Sequence, residues 1–421
     1  MLSGLRKMAP STTFSRRYDI DWLRVILFSL LIWFHFVAFQ PDQAWIKNNW
    51  LTSQVMDVMH QWRLAALFVI SGMGTAFAFR SRSWQNYLRG RFSRLLPPLL
   101  FVAFVLQFGL FQPLETTLKF FTIFPGIEAM PYGHLWFVYN LLIYSVVLLP
   151  LFIWLRKDPQ NGLLNATRRL LQMPFGIGLI LFPTCILCLN GILFKPWAAG
   201  EVGMWWEFPR YLLYFVFGYI LLCIPDDYFA ALARLRWPIS LLLPILVWCY
   251  SQRDSWTDMP NLIEGGWVLE GYPAVTLASS LMTLLQALHS WAWCLFVFAW
   301  AAVLLNRPSR WLHYLNNAIF ASYVVHQPLI YTTVVLMAAW ALPTGINITL
   351  GILITSSACL LVYEVVRRAR FMRASFGVQL TPPMAQAAAQ QNILSAFFFH
   401  ICTLILIVIM MWGLGTYWEF L

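Results

Sequence analysis

The stretch IDWLRVILFSLLIWFHFVAFQ, residues 20–40, decides the fold class. It is long and apolar enough for a helix to cross the hydrocarbon core of a bilayer, which takes about 20 residues. Comparable runs recur along the chain, and they lack the two-residue alternation of a transmembrane barrel. The sequence therefore predicts an all-α fold, a polytopic integral membrane helical bundle of about ten or eleven transmembrane helices.

Eleven apolar runs are candidates for these spans. They lie at residues 20–40, 62–80, 94–112, 133–154, 173–194, 208–224, 237–250, 279–305, 318–338, 345–366 and 392–415. The run at 237–250 is short and contains Pro244, so we expect a tilted or kinked segment there. We divide the chain into a cytoplasmic segment (1–18), a transmembrane domain (19–368), a cytoplasmic linker (369–391) and an additional C-terminal transmembrane helix (392–421).

The composition excludes an ordinary soluble domain. Hydrophobic residues make up 60% of the chain and charged residues 11%, against about 25% charged residues in a typical soluble domain. The net charge of +11 would suggest a nucleic-acid partner in a soluble protein, but most Lys and Arg fall in alternate loops, as the positive-inside rule requires. We therefore expect a cytoplasmic N-terminus, the lipid bilayer as partner and no nucleic acid. The seven Cys lie in or beside apolar runs, which excludes a disulfide framework.

Ionisable side chains inside the spans are the first functional candidates, because they are costly in a membrane. Arg24 and His35 lie eleven residues apart in the first span. At about 100° and 1.5 Å per residue they share one helical stripe and are separated by about 16 Å. For this pair alone, a histidine bonded within the bundle and a snorkelling arginine remain the simpler interpretation.

A second group of polar residues falls at the predicted outer side. Asp57, His60 and Arg63 are spaced three residues apart, so they share one helical face. This pattern fits a proton-handling site in which the carboxylate orients the histidine, and it fits an interfacial polar collar equally well. His134 opens the fourth span. We therefore expect three histidines, His35, His60 and His134, to lie in the outer half of the bundle. His326 lies in the ninth span, where Pro328 can open the backbone beside it.

The predicted cytoplasmic side offers a different chemistry. Arg91 and Arg94 precede the third span and lie on one helical face, which suits them to bind a phosphate group. Taken alone, a positive-inside anchor is the favoured interpretation of these arginines.

Together these motifs resemble the membrane acyltransferase-3 family over roughly residues 17–366. The resemblance rests on Arg24-x10-His35, Arg91-x-x-Arg94, Phe68-Val69-Ile70-Ser71-Gly72 and His134-Leu135-Trp136-Phe137. Within the family, the chain is similar to the glucan biosynthesis protein C type, which succinylates periplasmic glucans. That finer resemblance rests on His60-Gln61-Trp62-Arg63-Leu64, on Asn317-Ala318-Ile319-Phe320 leading into His326-Gln327-Pro328, and on Tyr363-Glu364.

The resemblance implies an O-acyltransferase of the bacterial inner membrane. Its donor would be a cytoplasmic acyl-CoA, either acetyl-CoA or succinyl-CoA, with no tightly bound cofactor and no metal. Its acceptor would be a saccharide of the envelope or periplasm, and a homo-oligomer or a glycan-synthesis machinery could be a further partner. Relatives of this family often have ten spans; the run at 392–415 extends that plan, and the absence of a following hydrolase-like domain implies that the membrane domain completes the transfer.

The resemblance also implies roles for the polar residues. His35 would be the catalytic base or would carry the acyl group, and Arg24 would support the donor. Arg91 and Arg94 would hold the coenzyme A phosphates. The remaining candidates would act on the acceptor side or in support, and they are Asp57, His60, Arg63, His134 and His326.

Two other functions remain open from the residues. The same His and Arg side chains could serve a secondary transporter of an amphipathic solute, although no inverted repeat is evident. A structural partner in a glycan-synthesis complex is a weaker alternative. The sequence leaves open the acyl group, the acceptor, and whether the acyl group passes through His35.

Overall fold

The computed structural model describes residues 16–107, 133–196, 206–253, 275–379 and 392–420. These ranges form α-helices joined by short loops. The helices are α1 (Tyr18–Ala38), α2 (Gln43–Asn48), α3 (Trp50–Arg80), α4 (Trp84–Phe101), α5 (Trp136–Val147), α6 (Leu149–Lys157), α7 (Gly162–Leu171), α8 (Ile177–Phe194), α9 (Glu207–Cys223), α10 (Pro225–Ser251), α11 (Leu277–Leu304), α12 (Arg310–Ala338), α13 (Thr344–Val366) and α14 (Ile393–Phe420). A π-helix, Val102–Gln107, continues α4, and a 3-10 turn, Gly133–Leu135, precedes α5.

The helices confirm the predicted polytopic all-α membrane fold. In the described part of the chain, 8 helices are long and apolar enough to cross a membrane, and α5 with α6 makes a ninth candidate that is bent by 51°. The predicted span at 208–224 corresponds to α9, a helix of 17 residues. The predicted span at 94–112 is helical as far as Gln107, and its remainder lies outside the described residues.

Two predicted spans are longer in the structure than their apolar runs. The run at 237–250 is the second half of α10, which has 27 residues and continues through Pro238 and Pro244. The helix begins at Pro225, since proline suits the first turn, where its missing N–H would have no helical partner. Hydropathy did not identify the first half of α10 as part of the span, because one face of it is charged. Its other face buries Tyr228 and Leu235.

The second span also begins earlier than its apolar run. Helix α3 begins at Trp50, and the side chain of Asn49 caps it by accepting a hydrogen bond from the backbone N–H of Thr52 at 3.0 Å. Asp57 and His60 therefore lie in the second and third turns of a long helix.

Two glycines bring α3 and α9 into close backbone contact. A Cβ atom on Gly72 would overlap the carbonyl group of Phe215, and a Cβ on Gly218 would overlap that of Val69. Because the bilayer supplies no hydrophobic drive between helices, such close approach is a main source of their packing energy. The motif that ends in Gly72 thus has a structural reason.

Helix α12 lies between α1, α13 and α14. The hydroxyl of Thr355 donates a hydrogen bond to that of Thr333 at 3.2 Å, which links α13 to α12. The ring of Tyr417 in α14 stacks on Tyr331 with centroids 4.3 Å apart, and its hydroxyl donates to the carbonyl of Phe39 at 2.9 Å. The C-terminal helix therefore packs directly on the part of the bundle that contains His35.

We expect Gly72→Leu to destabilise the protein by about 1–3 kcal/mol or more, because a larger side chain at this close contact forces the two backbones apart. The matched control is Gly415→Leu, since a Cβ at Gly415 meets nothing within 4 Å. The measurement is the thermal unfolding midpoint of the detergent-solubilised protein. Equal midpoints for the two variants would contradict the close α3–α9 contact.

Candidate functional site

The predicted site residues form two clusters near opposite ends of α1. A histidine cluster surrounds His35, and an arginine cluster surrounds Arg24. Arg24 and His35 are eleven positions apart, which corresponds to about 16 Å along the helix axis. Helix α1 therefore links two polar regions that differ in chemistry.

The histidine cluster begins with a contact between α1 and α12. The Nδ1 atom of His35 lies 3.1 Å from Nε2 of His326, and the two ring planes are within 15° of each other, with centroids 5.2 Å apart. His326 is fully buried, whereas His35 is partly exposed. Nδ1 of His326 lies 2.7 Å from the backbone carbonyl of Tyr323.

These two contacts fix the tautomers of the neutral histidines. A carbonyl oxygen can only accept a hydrogen bond, so Nδ1 of His326 carries the proton and Nε2 carries a lone pair. That lone pair accepts the proton on Nδ1 of His35. Nε2 of His35 is then left with its own lone pair, which is the atom that a general base or nucleophile needs.

Pro328 explains how His134 joins the cluster. A proline within a helix leaves the carbonyl four residues earlier without its N–H donor, and for Pro328 that carbonyl belongs to Val324. Nε2 of His134 lies 2.9 Å from this carbonyl oxygen, which it must approach as a donor. The hydroxyl of Tyr323 donates in turn to the carbonyl of His134 at 2.6 Å. The opened backbone of α12 therefore anchors the start of α5 beside His326.

Arg63 places a buried positive charge beside the histidines. Its side chain is 1% exposed, and in the described ranges its Nε and Nη1 atoms have no hydrogen-bond partner. The guanidinium lies 3.8 Å over the ring of Phe34, whose centroid is 5.6 Å from that of His60. Arg63 is also close enough to His35 for an electrostatic interaction. Unpaired N–H groups in such a place are suited to stabilise a negative charge that develops nearby.

Asp57 contacts a partner that the sequence did not suggest. Its carboxylate accepts a hydrogen bond from Nη1 of Arg253, two residues after the end of α10. This ion pair ties α3 to α10 on the same side as the histidine cluster. That Asp57 orients His60 stays a prediction.

The arginine cluster brings together Arg24, Arg91 and Arg94, which interact electrostatically with one another. Arg91 donates from Nη2 to the hydroxyl of Thr75 and from Nε to the hydroxyl of Tyr87, the latter at 3.3 Å. The residue spacing predicted that Arg91 lies beside Arg94. Arg24 joins these two residues only through the packing of α1 against α3 and α4.

Space and exposure make this cluster accessible. A Cβ atom on Gly74 would lie 2.8 Å from Nη2 of Arg24, so the glycine leaves room for the guanidinium. Arg94 is exposed, with its guanidinium 5.2 Å from the ring centroid of Phe320. Arg24 also forms an ion pair with Asp21 at 3.4 Å. Three neighbouring guanidinium groups are suited to bind an anion with several charges.

Sequence reasoning missed the residues that hold these side chains in place. Thr75 and Tyr87 position Arg91, and Tyr323 fixes the tautomer of His326 through its backbone carbonyl. Every residue has a backbone carbonyl, so the sequence does not show which carbonyl bonds to a side chain. The proline four residues after Val324 was the one available signal for the contact with His134. In the described ranges no three His, Cys, Asp or Glu side chains are arranged to share a metal ion.

Comparison with known proteins supports the resemblance. The profile of a family described as an acyltransferase domain matches residues 17–364. Relatives called glucans biosynthesis protein C occur in Salmonella schwarzengrund (strain CVM19633) and Salmonella agona (strain SL483). Each is 22% identical to the chain over 396 residues, covering 88% of the chain and 96% of the relative. No solved structure matches the chain significantly.

We expect Thr75→Val to destabilise the protein by about 1–3 kcal/mol, because it leaves an N–H of the Arg91 guanidinium without its acceptor. The matched control is Thr403→Val. Both threonines are fully buried, but among the described residues the hydroxyl of Thr403 bonds only to the carbonyl of Phe399 in its own helix. The thermal unfolding midpoint of the purified protein tests the difference. If Thr403→Val lowered it as much as Thr75→Val, the hydroxyl of Thr75 would have no special role.

Proposed function

Because the chain belongs to the acyltransferase family whose profile spans residues 17–364, we propose that it transfers an acyl group from a cytoplasmic acyl-CoA to a saccharide hydroxyl. The saccharide belongs to the envelope or periplasm, as the name of the glucans biosynthesis relatives suggests. The protein spans the bacterial inner membrane many times, with its N-terminus in the cytoplasm. The enzyme family favours this function over the transporter that the same charged residues could serve.

The contact that carries the proposal is the hydrogen bond between His35 and His326. It leaves a lone pair on Nε2 of His35, on a side chain that is still partly exposed. A neutral imidazole, with an ordinary pKa of about 6.5, is a suitable base for a sugar hydroxyl near neutral pH. His326 is therefore a positioning residue, because it acts through its hydrogen bond to Nδ1 of His35 and not by touching the substrate.

In the proposed transfer step, His35 acts as a general base. Nε2 of His35 removes the proton of the acceptor hydroxyl, and the oxygen forms a bond to the thioester carbonyl carbon. The tetrahedral intermediate carries a negative charge, which the unpaired N–H groups of Arg63 stabilise. The carbon–sulfur bond then breaks, and the coenzyme A thiolate leaves with the proton from His35. No co-reactant beyond donor and acceptor is needed.

The arginine cluster suits the other end of the donor. Coenzyme A carries several phosphate groups, and Arg24, Arg91 and Arg94 present guanidinium groups that interact electrostatically with one another. A phosphate relieves the repulsion among three such groups and gains charge-assisted hydrogen bonds. With its phosphates there, the donor extends along α1 and brings its thioester to His35. His60, His134 and Asp57 line the side from which the acceptor hydroxyl enters.

We expect His35→Ala to lower acyl transfer by at least about a hundredfold, since positioned general bases contribute factors of about 10²–10⁴. The measurement is ester formation on the saccharide, by mass spectrometry, in cells with matched membrane levels of the protein. His313→Ala is the matched control, because His313 is exposed and bonds only to Asn317 among the described residues. Unchanged ester content in His35→Ala would show that another group is the base.

We expect Arg94→Ala to raise the KM for acyl-CoA by about ten- to a hundredfold, the loss of about 1.5–3 kcal/mol of a charged hydrogen bond. Its kcat should change little, because the phosphates do not react. The KM for the matching acyl-pantetheine, which lacks the phosphates, should be the same for Arg94→Ala and the parent protein. Arg307→Ala, which removes an exposed arginine elsewhere, is the control. A KM that rises equally for both donors would contradict phosphate binding.

A further inference from the structure

The proposed transfer step uses no residue of the C-terminal helix α14, yet that helix packs against the bundle along one narrow face. Its buried large side chains follow the spacing of a single helical stripe, and they are Thr403, Ile407, Met410, Leu414 and Tyr417. The end of this stripe belongs to a small apolar cluster with Phe36 of α1 and Tyr331 of α12. Helix α14 therefore docks beside the two helices that carry the histidine pair.

Tyr417 contacts α1 and α12 at the same time. Its hydroxyl donates to the backbone carbonyl of Phe39 at 2.9 Å, and its ring stacks on that of Tyr331 with centroids 4.3 Å apart. The rings of Phe39 and Tyr331 also touch each other, with centroids 4.9 Å apart. Because Tyr417 is 3% exposed, it bridges the two helices in the interior of the protein.

The two residues that form this contact lie about one helical turn from the histidines. Phe39 donates its backbone N–H to the carbonyl of His35 at 3.0 Å, and its ring centroid is 5.6 Å from that of His35. Tyr331 follows His326 by five positions. Its hydroxyl accepts a hydrogen bond at 2.6 Å from Nε2 of Gln327, the residue next to His326. Each side of the contact is thus connected to one of the two histidine rings.

The backbone of α14 comes close to α12 at the same level. A Cβ atom on Gly413, one turn before Tyr417, would overlap the side chain of Thr332 and lie 2.7 Å from its Cα. Thr332 is the neighbour of Tyr331 on α12. The tyrosine is therefore held against α12 by a backbone contact that leaves little room for movement.

We propose that Tyr417 is a positioning residue for the catalytic base, because it holds α1 against α12 one turn from the bond between His35 and His326. That bond joins two helices across 3.1 Å, and about 0.5 Å more takes the two nitrogen atoms out of hydrogen-bonding range. Since the bilayer supplies no hydrophobic drive between helices, local contacts of this kind fix their separation. The inference rests on the proposed function, which makes His35 the base.

The first test compares Tyr417→Phe, which removes only the hydroxyl, with Tyr417→Ala, which also removes the ring. We expect kcat to fall at least about threefold in the former and at least about tenfold in the latter, since a displacement of about 1 Å costs up to a hundredfold in rate. The KM for the donor should not change, because the arginine cluster lies at the other end of α1. The assay uses purified protein, acetyl-CoA or succinyl-CoA, and a gluco-oligosaccharide.

Thr416→Val is the matched control for the lost hydroxyl. Among the described residues, the hydroxyl of Thr416 bonds only to the carbonyl of Trp412 in its own helix. The control should keep the kcat of the parent protein. If both Tyr417 variants also kept it, the inference would be wrong and the proposed function would stand.

A double-mutant cycle separates positioning from general destabilisation. If Tyr417 acts through His35, Tyr417→Phe should lower the rate of the parent protein but not the residual rate of His35→Ala. A purely structural role would lower both rates by the same factor. Equal factors in the two backgrounds would therefore overturn the inference.

A measurement without turnover tests the contact itself. The proton on Nδ1 of His35 is observed by NMR in protein with isotopically labelled histidine, and its signal is identified by its loss in His35→Ala. Because exchange with solvent reports local opening, it should be at least about tenfold faster in Tyr417→Ala than in the parent protein. Trp412→Leu is the control on the same helix, since Trp412 is 49% exposed, and it should keep the exchange rate of the parent.

The two ideas fail on different measurements. Unchanged exchange in Tyr417→Ala would overturn the positioning role whether or not the protein transfers acyl groups. Faster exchange in Tyr417→Ala, in a protein that transfers no acyl group from either donor, would support the hold of Tyr417 on the histidine pair and refute the proposed function.

Discussion

The hydrogen bond from His35 to His326 is the contact on which the rest of the site depends. It joins α1 to α12 within the bundle and fixes the tautomer of both rings, because the carbonyl of Tyr323 can only accept. It leaves Nε2 of His35 as the free basic atom. Every other part of the proposed chemistry is placed relative to that atom: the donor approaches it from the N-terminal end of α1, and the acceptor from the C-terminal end.

The membrane environment explains how such a site is maintained. Each backbone carbonyl in a bilayer must be satisfied within the protein, so the carbonyl of Val324 that Pro328 frees needs a donor. His134 supplies it and is thereby fixed beside His326. The close backbone contact at Gly72 and Gly218 holds α3 against α9. It thus sets the distance between Arg63 on α3 and the residues of α9.

Prediction from the sequence succeeded where the signal was periodic and failed where it was not. Hydropathy located the spans, and residue spacing placed Arg91 beside Arg94. The same hydropathy missed the first half of α10, since that half is amphipathic and its charges mask the helix. It also placed the start of the second span twelve residues late, because α3 begins in a polar stretch capped by Asn49. The family profile, which matches residues 17–364, covers both of the segments whose start the hydropathy placed too late.

By itself the sequence determined the fold class and the kinds of chemistry available: many apolar helices, and ionisable residues that a bilayer tolerates only for a reason. The tertiary structure alone decided which of them meet. His35 and His326 are 291 residues apart in the chain, and Arg24 joins Arg91 from a different helix. Periodicity reports which face of one helix a residue lies on, but contact between helices depends on glycine, proline and backbone carbonyls. Their effect appears only when the helices are packed.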